Sequence, residues 1–111
     1  MFPRNKRIGK TLFPNVFRQG RIFSSPTFSL RVRKNENKNT FAVVVPESVS
    51  PLATRRNVLK RRGYVVLRKI DKKITPPVSV ILLFKKGSEK MTFSKLESEI
   101  KDLCKKSGIL S

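Results

Sequence analysis

The chain has 111 residues, of which 26 are Lys or Arg and 7 are Asp or Glu, giving a formal net charge of +19 at pH 7. That length favours one compact domain, because two would each be too small to bury a good core, and 38% hydrophobic residues in recognisable runs argue against disorder. A net charge of magnitude ~2–8 suffices to keep a small domain soluble, so the excess points to a polyanionic partner, with nucleic acid favoured over an anionic membrane surface or an acidic protein.

Histidine is absent and Cys104 is the one cysteine. A zinc ribbon or finger and a disulfide within the chain are therefore excluded. Cys104 reads as a small apolar helix residue, since no histidine exists to activate it as a nucleophile. A lone thiol suits the reducing cytoplasm. No run approaches ~18 apolar residues, and the basic start lacks a following apolar signal core, so neither membrane insertion nor secretion is expected.

In chain order, MFPRNKRIGK (1–10) reads as a basic arm lying on the surface. A short helix is predicted over 12–19: Leu12, Phe13, Val16 and Phe17 have helical spacing, Pro14 fits a first turn, and Gly20 is a good stop. Two or three strands follow. FSLRVRK (28–34) alternates apolar and polar residues, as a sheet with one buried face does. NENKN (35–39) reads as a turn and TFAVVV (40–45) as a more central strand. A long helix is predicted over about 52–70, then VSVILLF (78–84) as a buried strand. A last helix starts near Thr92, a candidate N-cap, carries Phe93, Leu96, Ile100 and Leu103 on one side, and ends at Gly108. This order predicts an α+β domain: a mixed sheet of about four strands with helices packed on it, containing a β–α–β unit. The general rule makes such a crossover right-handed.

The segment RRNVLKRRGYVVLRK (55–69) holds seven basic residues and no acidic one. On a helical wheel Leu59, Gly63, Val66 and Ile70 fall within roughly 60° of one another, with Leu52 nearby, as the stripe that packs on the sheet. Asn57, Arg61, Tyr64 and Arg68 cluster on the opposite side, flanked by Lys60. Arg56 lies nearer the apolar boundary, where its stem packs and its guanidinium snorkels outward. Guanidinium forks grip phosphates, Asn57 can donate and accept, and Tyr64 could stack on an unpaired base or ribose. The bland reading of such a run is a solvated helix face, but uncompensated like charges weaken a free helix, which favours a polyanion opposite.

Phe13 and Phe17, four apart, are either core residues or a stacking platform for single-stranded nucleic acid, and spacing alone leaves both open. Most of the acidic residues near the C-terminus (Glu89, Glu97, Glu99, Asp102) fall on the last helix, which makes it the side away from RNA. There is no phosphate-cradling glycine loop, metal-ligand cluster or nucleophile–base pair, so a protein-borne active site is not expected.

These residues resemble the protein subunit of bacterial ribonuclease P. Its R-N-x-x-K-R signature is matched by Arg56-Asn57-Val58-Leu59-Lys60-Arg61. Its F-x-x-V-F-x-x-G pattern is matched by Phe13-Pro14-Asn15-Val16-Phe17-Arg18-Gln19-Gly20. A basic N-K-R-I start and a closing T-F-x-x-L-E helix are also similar, so the resemblance runs from about Asn5 to Leu103. It implies an α–β sandwich similar to the second domain of ribosomal protein S5, with an unusual left-handed β–α–β crossover. It also implies that catalysis belongs to a large RNA subunit using Mg²⁺ to release the 5′ leader from precursor tRNA. No obligate protein partner is implied. Carried over by position, Arg56, Asn57, Lys60 and Arg61 face the catalytic RNA, with Arg55, Tyr64 and Arg68 counted on the same surface. Phe13 and Phe17, joined by Arg31, line the leader cleft.

The chain departs from the family pattern in three places. Tyr64 stands where a further basic residue is usual, and Arg68, one turn on, is expected to supply that charge. PESVSPLA (46–53) replaces a lysine-rich loop containing glycine. Gly63 replaces a good helix former, at about 0.5–1 kcal/mol relative to Ala. The competing reading is a small ribosomal or other structural RNA-binding protein; a DNA-architectural protein is disfavoured, since no helix-turn-helix or wedge-bearing arm is evident.

Overall fold

A computed structural model describes residues 6–35 and 37–110. Helix α1 (Phe13–Gln19) is followed by strands β1 (Arg21–Ser24), β2 (Phe28–Lys34) and β3 (Thr40–Val44). Helix α2 (Ala53–Ile70) leads through a 3-10 turn (Asp71–Lys73) to β4 (Val78–Phe84), and a second 3-10 turn (Ser88–Lys90) precedes α3 (Phe93–Lys106). The sheet runs β1-β2-β4-β3, with β3 and β4 parallel and the other neighbours antiparallel. The fold is thus α+β with a four-stranded mixed sheet, and α2 is the crossover of the expected β–α–β unit. Of the predicted basic arm, residues 1–5 lie outside the described residues.

Strand alternation divides the core between the two faces of the sheet. Phe28, Leu30, Phe41, Val43, Val80, Leu82 and Phe84 meet Leu59, Val66, Leu67 and Ile70 of α2 and Leu96, Ile100 and Leu103 of α3. Ala42 and Ile81, on the opposite face, meet Val16 of α1. Thr92 caps α3 as expected, its hydroxyl accepting from the Lys95 amide at 3.3 Å. Cys104 is fully buried on α3, and burial pushes its thiol up to about 12. It is a packing residue, not a reactive one.

Three details differ from the sequence reading. Strand β1 has four residues, RIFS, too few to show a period. Helix α2 begins one residue later than predicted. Leu52 is its N-cap and 65% exposed rather than part of the packing stripe, while Leu67 joins that stripe fully buried. Asn39, taken as a turn residue, is buried and pins the end of α2 to the start of β4. Its amide nitrogen donates to the Asp71 carbonyl (3.0 Å), the Asp71 carboxylate (3.0 Å) and the Ile74 carbonyl (3.1 Å). Its amide oxygen accepts from the Val78 amide at 2.9 Å. Asn39→Ala orphans these groups in the interior, so a loss on the order of 2–4 kcal/mol in a urea titration is expected.

Gly63 lies where α2 presses closest to the sheet. A Cβ there would come 3.0 Å from Val43 Cγ1 and 3.2 Å from Phe84 Cε1. The glycine permits this approach, and the approach sets how α2 presents its outer face.

Candidate nucleic-acid interface

The outer face of α2 and the arm enclose a groove of about 700 Å³ lined by Arg7, Asn57, Lys60, Arg61, Tyr64, Val65 and Arg68. Four of these side chains are cationic and none is acidic. Asn57, Lys60, Arg61 and Arg68 are exposed, spread over about three helical turns on the stripe facing away from the sheet. Among the described residues, Lys60 and Arg61 have no carboxylate within ion-pair distance. Five of the seven RNA-facing candidates therefore come together here.

The other two lie elsewhere. The Arg55 guanidinium donates to the Glu89 carbonyl at 3.0 Å, on the α3 side of the helix. That of Arg56 donates to the Ser50 and Pro51 carbonyls, both at 2.9 Å. Arg56 ties down the loop before α2 instead of snorkelling freely, because its wheel position beside the buried stripe aims it back along the helix start. Tyr64 is not a free platform either. It is half-buried against the core, and its hydroxyl accepts from the Val43 amide at 3.4 Å. The sequence reading missed Arg7 and Val65, the latter 42% exposed among cations.

A second surface lies on the opposite face of the sheet. Phe13 and Phe17 are half-buried and stacked, with ring centroids 5.9 Å apart and planes 18° apart. They pack beside Val16, Ala42 and Ile81, as core residues do, with part of each ring open. Arg31 joins them from β2. Its guanidinium carbon is 3.9 Å from the Phe17 ring centroid, and it donates to the Phe17 carbonyl at 2.7 Å. Ile22, 57% exposed on β1, pairs with Arg31 in register and so extends this face. The three leader candidates thus form one cluster, aromatic with a cation over it.

Carboxylates gather around α3 and the two 3-10 turns. Glu97 sits 3.0 Å from Lys69 and 3.7 Å from Lys101, and the hydrogen bond from Lys69 holds its carboxyl below the usual range. Backbone amides at Glu89 and Gly87 lower Glu89 likewise. Thr27 donates to Glu99. The Lys69–Glu97 and Thr27–Glu99 contacts join α3 to its neighbours, and none of the described residues that line the groove is acidic.

The sequence pattern of the family described as Ribonuclease P matches residues 2–108. The chain belongs to that family. It is 31% identical over 104 residues to the ribonuclease P protein component of Synechococcus elongatus, covering 88% of this chain and 85% of that protein. Against the Clostridioides difficile protein component it is 26% identical over 110 residues, covering 97% and 96%. The fold matches the Staphylococcus aureus RNase P protein with a TM-score of 0.86 at 16% identity, over 96% of this chain and 98% of that one. The Thermotoga maritima RNase P protein superposes with a TM-score of 0.80 at 23% identity, over 90% and 96%. In family terms, the R-N-x-x-K-R signature divides in two. Asn57, Lys60 and Arg61 line the groove, while Arg56 holds the loop that leads into it.

Proposed function

We propose that the chain is the non-catalytic protein subunit of a ribonuclease P ribonucleoprotein. The α2 groove holds the catalytic RNA, and the Phe13–Phe17–Arg31 face holds the single-stranded 5′ leader of precursor tRNA. The observation that carries this reading is the acid-free groove with four cations on one side of the sheet, set against an aromatic stack on the other. Cations in the groove screen repulsion between phosphates of the two RNAs, which aids substrate binding. Rings and a guanidinium accept bases of any sequence, as a leader of variable sequence demands. Hydrolysis is assigned to the RNA. Mg²⁺ is assigned chiefly to RNA phosphates, the hard oxygen ligands that this ion prefers. Cytoplasmic work suits the lone reduced thiol.

The test is reconstitution with a bacterial-type catalytic RNA at low Mg²⁺, following leader release from precursor tRNA. Stimulation is expected; its absence with a matched RNA overturns the reading, and co-sedimentation with ribosomal subunits would favour a structural ribosomal role. Phe17→Ala is expected to weaken holoenzyme affinity for precursor tRNA about tenfold, since a stacked base contributes ~1–3 kcal/mol. Affinity for mature tRNA, which lacks the leader, should stay within twofold in the same competition assay.

A further inference from the structure

The arm brings the groove one more cation than α2 carries. Arg7 bridges in parallel to Phe41 along the open edge of β3, and the Ile8 amide donates to the Phe41 carbonyl at 2.9 Å. Beside them the Lys6 ammonium lies 3.3 Å from the Asp71 carboxylate. These contacts fix the backbone without using the Arg7 side chain. In an extended segment successive side chains point to opposite faces. Ile8 accordingly packs with the Val16, Ala42 and Ile81 cluster, while Arg7 turns into the groove.

There the Arg7 guanidinium carbon lies 5.6 Å from the centroid of the Tyr64 ring. That ring is itself immobilised by the core and by the Val43 amide, so it acts as a floor for the guanidinium. The Arg7 Nε is buried and has no hydrogen-bond partner among the described residues. That donor is turned inward; among the described residues that line the groove none is acidic, so no carboxylate there pairs with the guanidinium. The Arg7 guanidinium, lining the groove beside Lys60, Arg61 and Arg68, matches the chemistry of a phosphodiester oxygen.

We propose that Arg7, held over the Tyr64 ring, is a phosphate-binding residue for the RNA in the groove, so that arm and helix grip one backbone from two sides. The proposal rests on the groove being an RNA surface and adds the arm to it. Tyr64 is then a positioning residue, acting through Arg7 instead of stacking on a base.

The test is equilibrium binding of the full chain to a bacterial-type ribonuclease P RNA over a range of salt concentrations. Arg7→Ala is expected to weaken binding roughly tenfold and to reduce the salt slope by about one. Tyr64→Leu should give a similar loss, Tyr64→Phe should restore it, and adding Tyr64→Leu to Arg7→Ala should cost little more. Tyr64→Arg in the Arg7→Ala background should recover most of the affinity, because a guanidinium returns to the same wall. Thermal unfolding of each variant reports the fold separately. If Arg7→Ala binds with unchanged affinity and slope while Lys60→Ala binds weakly, the role of Arg7 is refuted and the groove reading stands. If neither variant changes affinity, the groove reading fails and takes the proposal with it.

Discussion

Replacing Lys60 and Arg61 together by Ala is expected to lower affinity for the catalytic RNA by two orders of magnitude or more. Each side chain is exposed on the groove face of α2 and lacks a carboxylate partner among the described residues. No described carboxylate competes for these charges, so their interaction is available to phosphate. A charge-assisted hydrogen bond contributes about 1.5–3 kcal/mol, or roughly tenfold to a hundredfold in affinity per residue. Two lost phosphate contacts should also flatten the dependence of log K on log salt by about two. Stability should hold or rise slightly, because the double substitution relieves like-charge repulsion along the helix. The matched control is Lys95→Ala with Lys105→Ala, two exposed cations on α3. That pair removes the same net charge from the side where the acids gather, and less than a threefold loss is expected. Equal losses from both pairs would mean that the groove acts only as part of a diffuse positive field.

How far such residues could be read from the sequence depended on whether their role follows from a period. The two faces of α2 were legible because a helix of eighteen residues repeats its pattern five times, and the stripe Leu59, Gly63, Val66 and Ile70 is buried where the wheel put it. Strand β2 was legible to the residue from its alternation, and β4 from an unbroken apolar run after TPP. Strand β1 was not, since four residues carry no period and its place is fixed by pairing with β2. Asn39 was missed because its four partners lie 32 to 39 residues away, and a polar residue among Asn and Lys looks like any other turn residue. The same limit applies to the site. Asn57, Lys60, Arg61 and Arg68 share a face by helical geometry alone, whereas Arg7 reaches it only through the edge of β3. Arg56 shows the converse: it stands in the motif, yet its guanidinium donates to the Ser50 and Pro51 carbonyls, which a wheel cannot show.

Gly63→Leu is expected to destabilise the protein by roughly 3 kcal/mol or more and to lower RNA binding with it. Even the first added atom is crowded, since Cβ would lie 3.0 Å from Val43 Cγ1 and 3.2 Å from Phe84 Cε1, both on buried strand residues. For Gly63→Ala the crowding opposes a gain of about 1 kcal/mol in helix propensity, so a net change within ~1 kcal/mol is expected. Leucine adds three more heavy atoms toward the sheet, where overpacking typically costs ~1–3 kcal/mol and sometimes more. The helix can accommodate them only by lifting off β3 and β4, which moves the groove face relative to Arg7 and Tyr64. A double-mutant cycle separates this cause from a general intolerance of the position. Val43→Ala removes the nearest methyl groups and should destabilise the parent chain. In the Gly63→Ala background it should cost at least 0.5 kcal/mol less by urea denaturation, because the added Cβ then occupies space that Val43 has vacated. Simple additivity of the two substitutions would place the origin of the glycine outside the α2–sheet contact.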